Sequence, residues 1–147
     1  MIRIVEVTDE QGAVTVSDWF GKAEAVHRQL RPSLPREYEA KMRRVFAGGA
    51  RMCVAVDGDE VRGVAVYRVY ENTHADRQLY VDDLVTDERC RSTGVGRALL
   101  GHLERKARAA QLDTLSLDSG TQRQQAHKFY FREGMVVTAF HFGKKLA

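Results

Sequence analysis

The sequence predicts an α/β (α+β) domain. It is a mixed, mostly antiparallel sheet of about seven strands with about four helices on both faces, in the order β-α-α-β-β-β-α-β-α-β-β. Three observations carry this. Short β-branched runs alternate apolar and polar residues, as half-buried strands do. Between them lie longer segments whose apolar residues recur every three or four positions, the period of one helix face. Glycine, proline and Asp-Gly signals separate the two kinds of segment. The 147 residues fill one domain, 1–147, with no internal repeat, linker or low-complexity tract.

Residues 2–8 alternate and read as the first strand. Trp19, Ala23, Val26 and Leu30 then fall at helical spacing, with Ser17 or Asp18 able to cap the start. Pro32 and Pro35 interrupt, and Pro35 suits the first turn of a second helix carrying Tyr38, Met42, Val45 and Phe46, stopped by Gly48-Gly49. Two β-rich runs, 51–56 and 61–70, are joined by Asp57-Gly58-Asp59-Glu60, a hairpin signal. A second turn, 71–77, leads into a strand at 78–86. A polar loop follows, then a helix from about 95 to 110 with Gly96, Leu100, Leu103, Ala107 and Ala110 on one face, widened by Leu99. Residues 112–118 form a further strand, broken by Ser119-Gly120. Ala126, Phe129, Tyr130 and Glu133 mark a short helix closed by Gly134, and 135–146 is β-rich again.

Composition excludes several classes. Lys and Arg total 23 against 20 Asp and Glu, a net charge of +3, and no run nears the ~18 apolar residues of a membrane span. The arginines of 36–51 and 89–108 are interspersed with acids and lack interleaved aromatics, so they read as solvated faces rather than a nucleic-acid surface. Two cysteines are too few for a disulfide framework. Cys53 reads as a buried small hydrophobe, and Cys90 as a surface residue or a reactive thiol. The opening strand has no signal-peptide core, so a cytoplasmic setting without membrane partners is expected. His27 and His102 read as surface or boundary residues, His127 adjoins the last helix, and His74 and His141 could border a pocket. No histidine pair has metal-binding spacing, and no metal is expected.

The chemistry concentrates where a strand passes through Arg91-Ser92-Thr93-Gly94-Val95-Gly96-Arg97 into a helix. The first N–H groups of a helix lack intrahelical partners and sit at the positive end of its dipole. Glycines let a ligand approach that backbone closely, and Arg91 and Arg97 add charge, so the turn suits a diphosphate. A Walker A loop would need Gly-Lys-Ser/Thr, and a dinucleotide fingerprint a third glycine where Leu99 stands. The alternative reading is an ordinary capped turn in which Gly96 permits close packing.

In context the run resembles motif A of the GNAT acyltransferase superfamily, Arg/Gln-x-x-Gly-x-Gly/Ala, at Arg91, Gly94 and Gly96. Residues 126–135 resemble the same family's motif B, A-x-x-F-Y-x-x-x-G-F, with Met135 in place of Phe. Arg123 stands where many members carry an Asn that contacts the cofactor, which puts that contact in doubt. The resemblance covers the whole chain and implies acetyl-CoA as donor and a primary amine as acceptor, joined by direct attack in a ternary complex. It places the diphosphate on the amides of 92–97 and the pantetheine arm along Leu84, Val85 and Thr86. Val85 N–H is then expected to hold the developing oxyanion, and Tyr130 to protonate the leaving thiolate. A carboxylate must take the ammonium proton. Asp82 and Asp83, being consecutive on a strand, are expected on opposite faces, with Asp82 preferred as base over Asp83 and Glu71. The acceptor pocket is expected around 19–46 and 71–77, with His74 at its border and with Glu71, Asp76, Asp82 and Asp83 favouring a cationic amine. The β-rich C-terminus and the family's habits suggest a homodimer. A non-catalytic acyl-CoA sensor is the alternative from another class.

Overall fold

Alternating runs, helical faces and glycine signals resolve in the computed structural model, which describes residues 1–74 and 77–147. Asp76, expected beside the acceptor, lies outside the described residues. The chain divides into two compact units, Met1–Ser116 and Leu117–Ala147. The strands are β1 (Arg3–Glu6), β2 (Ala50–Asp57), β3 (Glu60–Tyr70), β4 (Gln78–Thr86) and β5 (Thr114–Leu117). The helices are α1 (Ser17–Leu30), α2 (Tyr38–Ala47), α3 (Val95–Ala109) and α4 (Gln124–Arg132).

The sheet runs β1-β2-β3-β4-β5, with β1 to β4 antiparallel. The expected hairpin closes at Asp57 opposite Glu60, and Gly58 supplies the left-handed conformation (φ +59°) that the two-residue turn demands. β5 starts level with β4: Asp113 N–H donates to Arg77 O at 2.8 Å, and Arg77 N–H to the Asp113 carboxylate at 3.2 Å. That shared starting end makes the sheet mixed.

Helices cover two faces of the sheet. Phe20, Ala23 and Val26 of α1 and Tyr38, Met42 and Phe46 of α2 pack on Met52, Val54, Val64, Val66 and Val85. The Phe20 ring lies 5.7 Å from Phe46 and 6.0 Å from Tyr38. α3 buries Val95, Leu99, Leu103 and Ala107, seated on the alternate residues of the strands. At Gly63 a Cβ would stand 2.7 Å from Val95 Cγ1 and 2.8 Å from Leu99 Cδ1, so this glycine sets how closely α3 approaches.

Several expectations need correction. The sheet has five strands among the described residues, not about seven, because 135–147 forms none. A strand exists through its pairing, and β-propensity names no partner. There Val136, Val137, Phe140, Phe142 and Leu146 are exposed. Ser17 and Asp18 lie inside α1, whose N-cap is Val16, with no side-chain cap. Pro35 precedes α2 rather than opening it, and the Arg28 guanidinium takes the chain's turn there, donating to the carbonyls of Leu34 (2.6 Å) and Pro35 (2.7 Å). No helix of the described residues is long and apolar enough to cross a membrane. In the second unit Gly134 (φ +86°) closes α4, and Met135 N–H returns to Tyr130 O at 3.0 Å.

Candidate active site

Asp87 fixes the turn between β4 and α3. Its N–H donates to Arg62 O, and its own carbonyl accepts from Cys90 N–H, each at 2.8 Å. Its enclosed carboxylate accepts from Arg89 Nη2 (2.7 Å), Arg89 N–H (3.1 Å) and Gln29 Nε2 (3.3 Å). Hydrogen bonding by the Arg89 guanidinium, outweighing burial, holds this carboxyl at about 2. Beyond it Thr93 Oγ1 donates to Cys90 O, and Ser92 (φ +64°) and Gly94 (φ +91°) adopt left-handed conformations. A Cβ on Gly94 would meet nothing within 4 Å, so open space lies over the backbone here. The N–H groups of Ser92, Thr93, Gly94, Val95 and Gly96 donate to no carbonyl among the described residues. Arg91 and Arg97 are exposed, and no acidic residue occupies the first turn of α3. The result is an electropositive row of donors beneath open space, a fit for a diphosphate.

The register of β4 decides which amides leave the sheet. Because Asp87 N–H bonds Arg62 O, the Arg62–Asp87 pair is hydrogen-bonded, and alternation makes Val64–Val85 the next such pair. Val85 N–H therefore turns to β3. Leu84 and Thr86, opposite Ala65 and Gly63, direct theirs away from β3. The oxyanion role expected of Val85 fits Leu84 instead.

A bulge changes the carboxylates. Val66 opposes Asp83 and Tyr67 opposes Val81, so Asp82 is one residue too many for its partner strand. Asp82 and Asp83 are consequently not on opposite faces. Asp83 Oδ2 accepts from His27 Nε2 at 2.7 Å, and its Oδ1 from Arg31 Nε at 2.9 Å. Asp82 Oδ2 accepts from Arg68 Nε at 2.8 Å, while its carbonyl accepts from Arg31 Nη2 at 3.2 Å. Arg68 in turn donates to Gly48 O at the end of α2, at 3.0 Å. The two aspartates thus share the α1–α2 side.

His27 is not a surface residue: it is 1% exposed. A carboxylate only accepts, so Nε2 carries the proton toward Asp83, and Nδ1 accepts from Tyr38 Oη at 2.8 Å. Burial, with Glu24 and Asp83 adding to it, pushes the Tyr38 phenol well up, which keeps it a neutral donor. Burial would raise the Asp83 carboxyl, but hydrogen bonds from His27 and Arg31 outweigh it and leave it below the ordinary range. Asp83→Asn should cost about 1–3 kcal/mol at neutral pH, since a buried partner is left unmatched. The folded pKa lies below the unfolded value of about 4, so this stability is present above pH ~4 and is lost as pH falls through the folded value. Urea unfolding of both proteins at neutral and acid pH should show the gap narrowing with acid.

Glu71 and His74 are exposed on the β3–β4 turn, where His74 N–H donates to Asn72 Oδ1 at 3.1 Å. Tyr130, on α4 in the second unit, is half-buried with its ring 5.4 Å from Phe129. Burial raises its phenol, and Arg123 partly offsets that. Elsewhere the Glu6, Cys53 and His102 donor atoms lie within 4.8 Å of one another. Glu6 is already held by Tyr67 Oη (2.7 Å) and by Lys106 Nζ (3.4 Å), so the group reads as a compensated half-buried carboxylate. Sequence reasoning missed His27, Arg31, Arg68 and Gly63. Among these only His27 carried a signal, since it follows Val26 on the apolar side of α1.

A family model described as "Acetyltransferase (GNAT) family" matches residues 16–135. An uncharacterized N-acetyltransferase of Bacillus subtilis, YhdJ, is 36% identical over 94 residues, covering 54% of this chain and 66% of that protein. The aminoalkylphosphonate N-acetyltransferase of Salmonella typhimurium is 30% identical over 90 residues, 61% of this chain and 58% of that one. The chain thus spans somewhat under two thirds of these curated relatives. The aminoglycoside N-acetyltransferase AAC(6')-Iy, solved with CoA, shares the fold at TM-score 0.79 and 14% identity, covering 99% of this chain and 95% of that one.

Proposed function

The chain belongs to the acetyltransferase (GNAT) family, and from that premise we propose that it transfers an acetyl group from acetyl-CoA to a primary amine of a small molecule, by direct attack in a ternary complex. The carrying observation is the row of unpaired amides at Ser92–Gly96 under the open space at Gly94. The relatives that act on aminoalkylphosphonates and aminoglycosides support a small-molecule amine. A single match running from residue 16 to 135 crosses both compact units and supports one functional domain over 1–147. Two free cysteines, Cys53 and Cys90, suit the expected reducing cytoplasm.

Acetyl-CoA supplies the activated thioester. The Ser92–Gly96 amides, with Arg91 and Arg97, bind its diphosphate. Leu84 and Thr86 direct their amides away from β3, toward the pantetheine arm, and Leu84 N–H holds the carbonyl oxygen as charge develops. Asp82 takes the ammonium proton: its Oδ1 accepts no hydrogen bond among the described residues, whereas both oxygens of Asp83 are engaged. Asp83, held below the ordinary range, is the weaker base and a positioning residue. Tyr130 gives its proton to the departing thiolate.

Thiol release from acetyl-CoA with an amine panel tests the proposal. Asp82→Asn should lower kcat about tenfold to a hundredfold with little change in KM for acetyl-CoA. Tight CoA binding without turnover on any amine would leave the sensor reading in its place. A homodimer is part of the proposal, supported by the exposed Val136, Val137, Phe140, Phe142 and Leu146, which a second copy would cover. Light scattering should give about twice the mass of one chain, and truncation after Gly134 should halve it.

A further inference from the structure

Two guanidinium groups converge on the residue assigned as base. Arg31 reaches the Asp82 carbonyl (3.2 Å) and the Asp83 carboxylate (2.7 Å), and Arg68 reaches the Asp82 carboxylate (2.8 Å). Each is half-used. Arg31 Nη1 and Arg68 Nη2 donate to no partner among the described residues, and the two side chains are 50% and 34% exposed. The aspartates themselves are less open, at 24% and 13%.

Charge arithmetic then overturns the simple view of an acidic pocket. Asp82 and Asp83 contribute two negative charges, Arg31 and Arg68 two positive ones, and His27 serves them with one N–H. The cluster is therefore balanced and does not attract a polycation. It presents one carboxylate oxygen with room to accept, Asp82 Oδ1, beside two guanidinium edges with N–H groups to give. That pattern is complementary to a zwitterion: an ammonium for the carboxylate and an anion for the unengaged Arg31 Nη1 and Arg68 Nη2 groups, whose N–H donors make charge-assisted hydrogen bonds to phosphate, phosphonate and carboxylate oxygens.

We infer that the acceptor is a small amine bearing its own anionic group, bound through Arg31 and Arg68 while its nitrogen faces Asp82. This rests on the acetyl-transfer reading and adds the chemical class of the acceptor. Arg31 and Arg68 thereby acquire two duties, holding the aspartates and selecting the substrate.

Three two-carbon amines serve as probes: phosphoethanolamine, ethylamine and ethylenediamine. Binding of each to the CoA-loaded protein is measured by calorimetry, and thiol release from acetyl-CoA is followed separately. Phosphoethanolamine should bind about tenfold or more tightly than the other two, the effect of one charge-assisted hydrogen bond. Arg31→Gln should collapse that preference to within about threefold, with Arg31→Lys intermediate because it keeps the charge and loses the planar guanidinium that presents Nη1. Equal binding of the three probes, or ethylenediamine binding tightest, overturns the inference even if thiol is released. The comparison within the unaltered protein stands should a variant fail to fold. Preferential binding with no thiol released from any amine leaves the anion subsite standing and sinks the acetyl-transfer reading instead.

Discussion

Tyr130→Phe should lower kcat about a hundredfold to a thousandfold, while the KM for acetyl-CoA and the melting temperature stay near those of the parent chain. The departing group is a thiolate whose conjugate acid has a pKa near ~8.5, and the phenol sits above its ordinary ~10 because it is buried. A donor in that state remains protonated through the neutral and mildly alkaline range. The parent enzyme should therefore show no loss of rate from Tyr130 ionisation between about pH 7 and 9, and the variant's defect should be constant across it. Undiminished thiol release by the variant over that range removes Tyr130 from the chemistry.

The second large effect belongs to a residue with no side chain. Gly63→Val would drive branched carbons into Val95 Cγ1, 2.7 Å from the position a Cβ would take, and against Val85 O at 3.1 Å. One obstacle is backbone, so the strain falls on α3, whose first turn carries the proposed diphosphate donors. We expect a loss of about 1–3 kcal/mol in unfolding free energy. CoA affinity should fall by more than global stability explains, with Gly63→Ala showing a smaller effect of the same sign. Gly21 on α1, where a Cβ would meet nothing within 4 Å, gives the opposite sign: alanine there should stabilise by about 0.5–1 kcal/mol. Urea unfolding and CoA titration of the three variants check these expectations. Unchanged CoA affinity in Gly63→Val would mean that the seat of α3 does not govern the loop.

The helices, the β2–β3 hairpin and the glycine turn were legible because local signals specify them: helical periodicity, Gly58 in its turn, and Gly94 in a left-handed conformation before α3. What escaped depends on partners distant in the chain. His27 is buried because Tyr38 and Asp83 satisfy both its nitrogens, and Asp83 lies 56 positions away. Gly63 looks like a weak point in a strand until α3 lies on it. The C-terminal segment has the composition of strands but pairs with no strand among the described residues, and composition carries no address.

β4 was misread for a subtler reason. Leu79, Val81, Asp83 and Val85 share one parity, and simple alternation puts them on one face. The bulge breaks that rule. Val81 opposes Tyr67, whose hydroxyl bonds the Glu6 carboxylate on the α3 side, while Val85 lies in the cluster under α1 and α2. One extra residue lets a single apolar stripe serve two layers in succession.

The register of β4 is consequently independent of residue 82, which stands outside the pairing with β3. A substitution there changes one functional group and leaves every neighbour in place. Deletion of residue 82 would regularise the ladder: Asp83 still opposes Val66 and Val81 still opposes Tyr67, so Leu79, Tyr80 and Val81 keep their faces and only the second carboxylate on the α1–α2 side is lost. The bulge thus adds a side chain to the α1–α2 side without reassigning the faces of the residues around it.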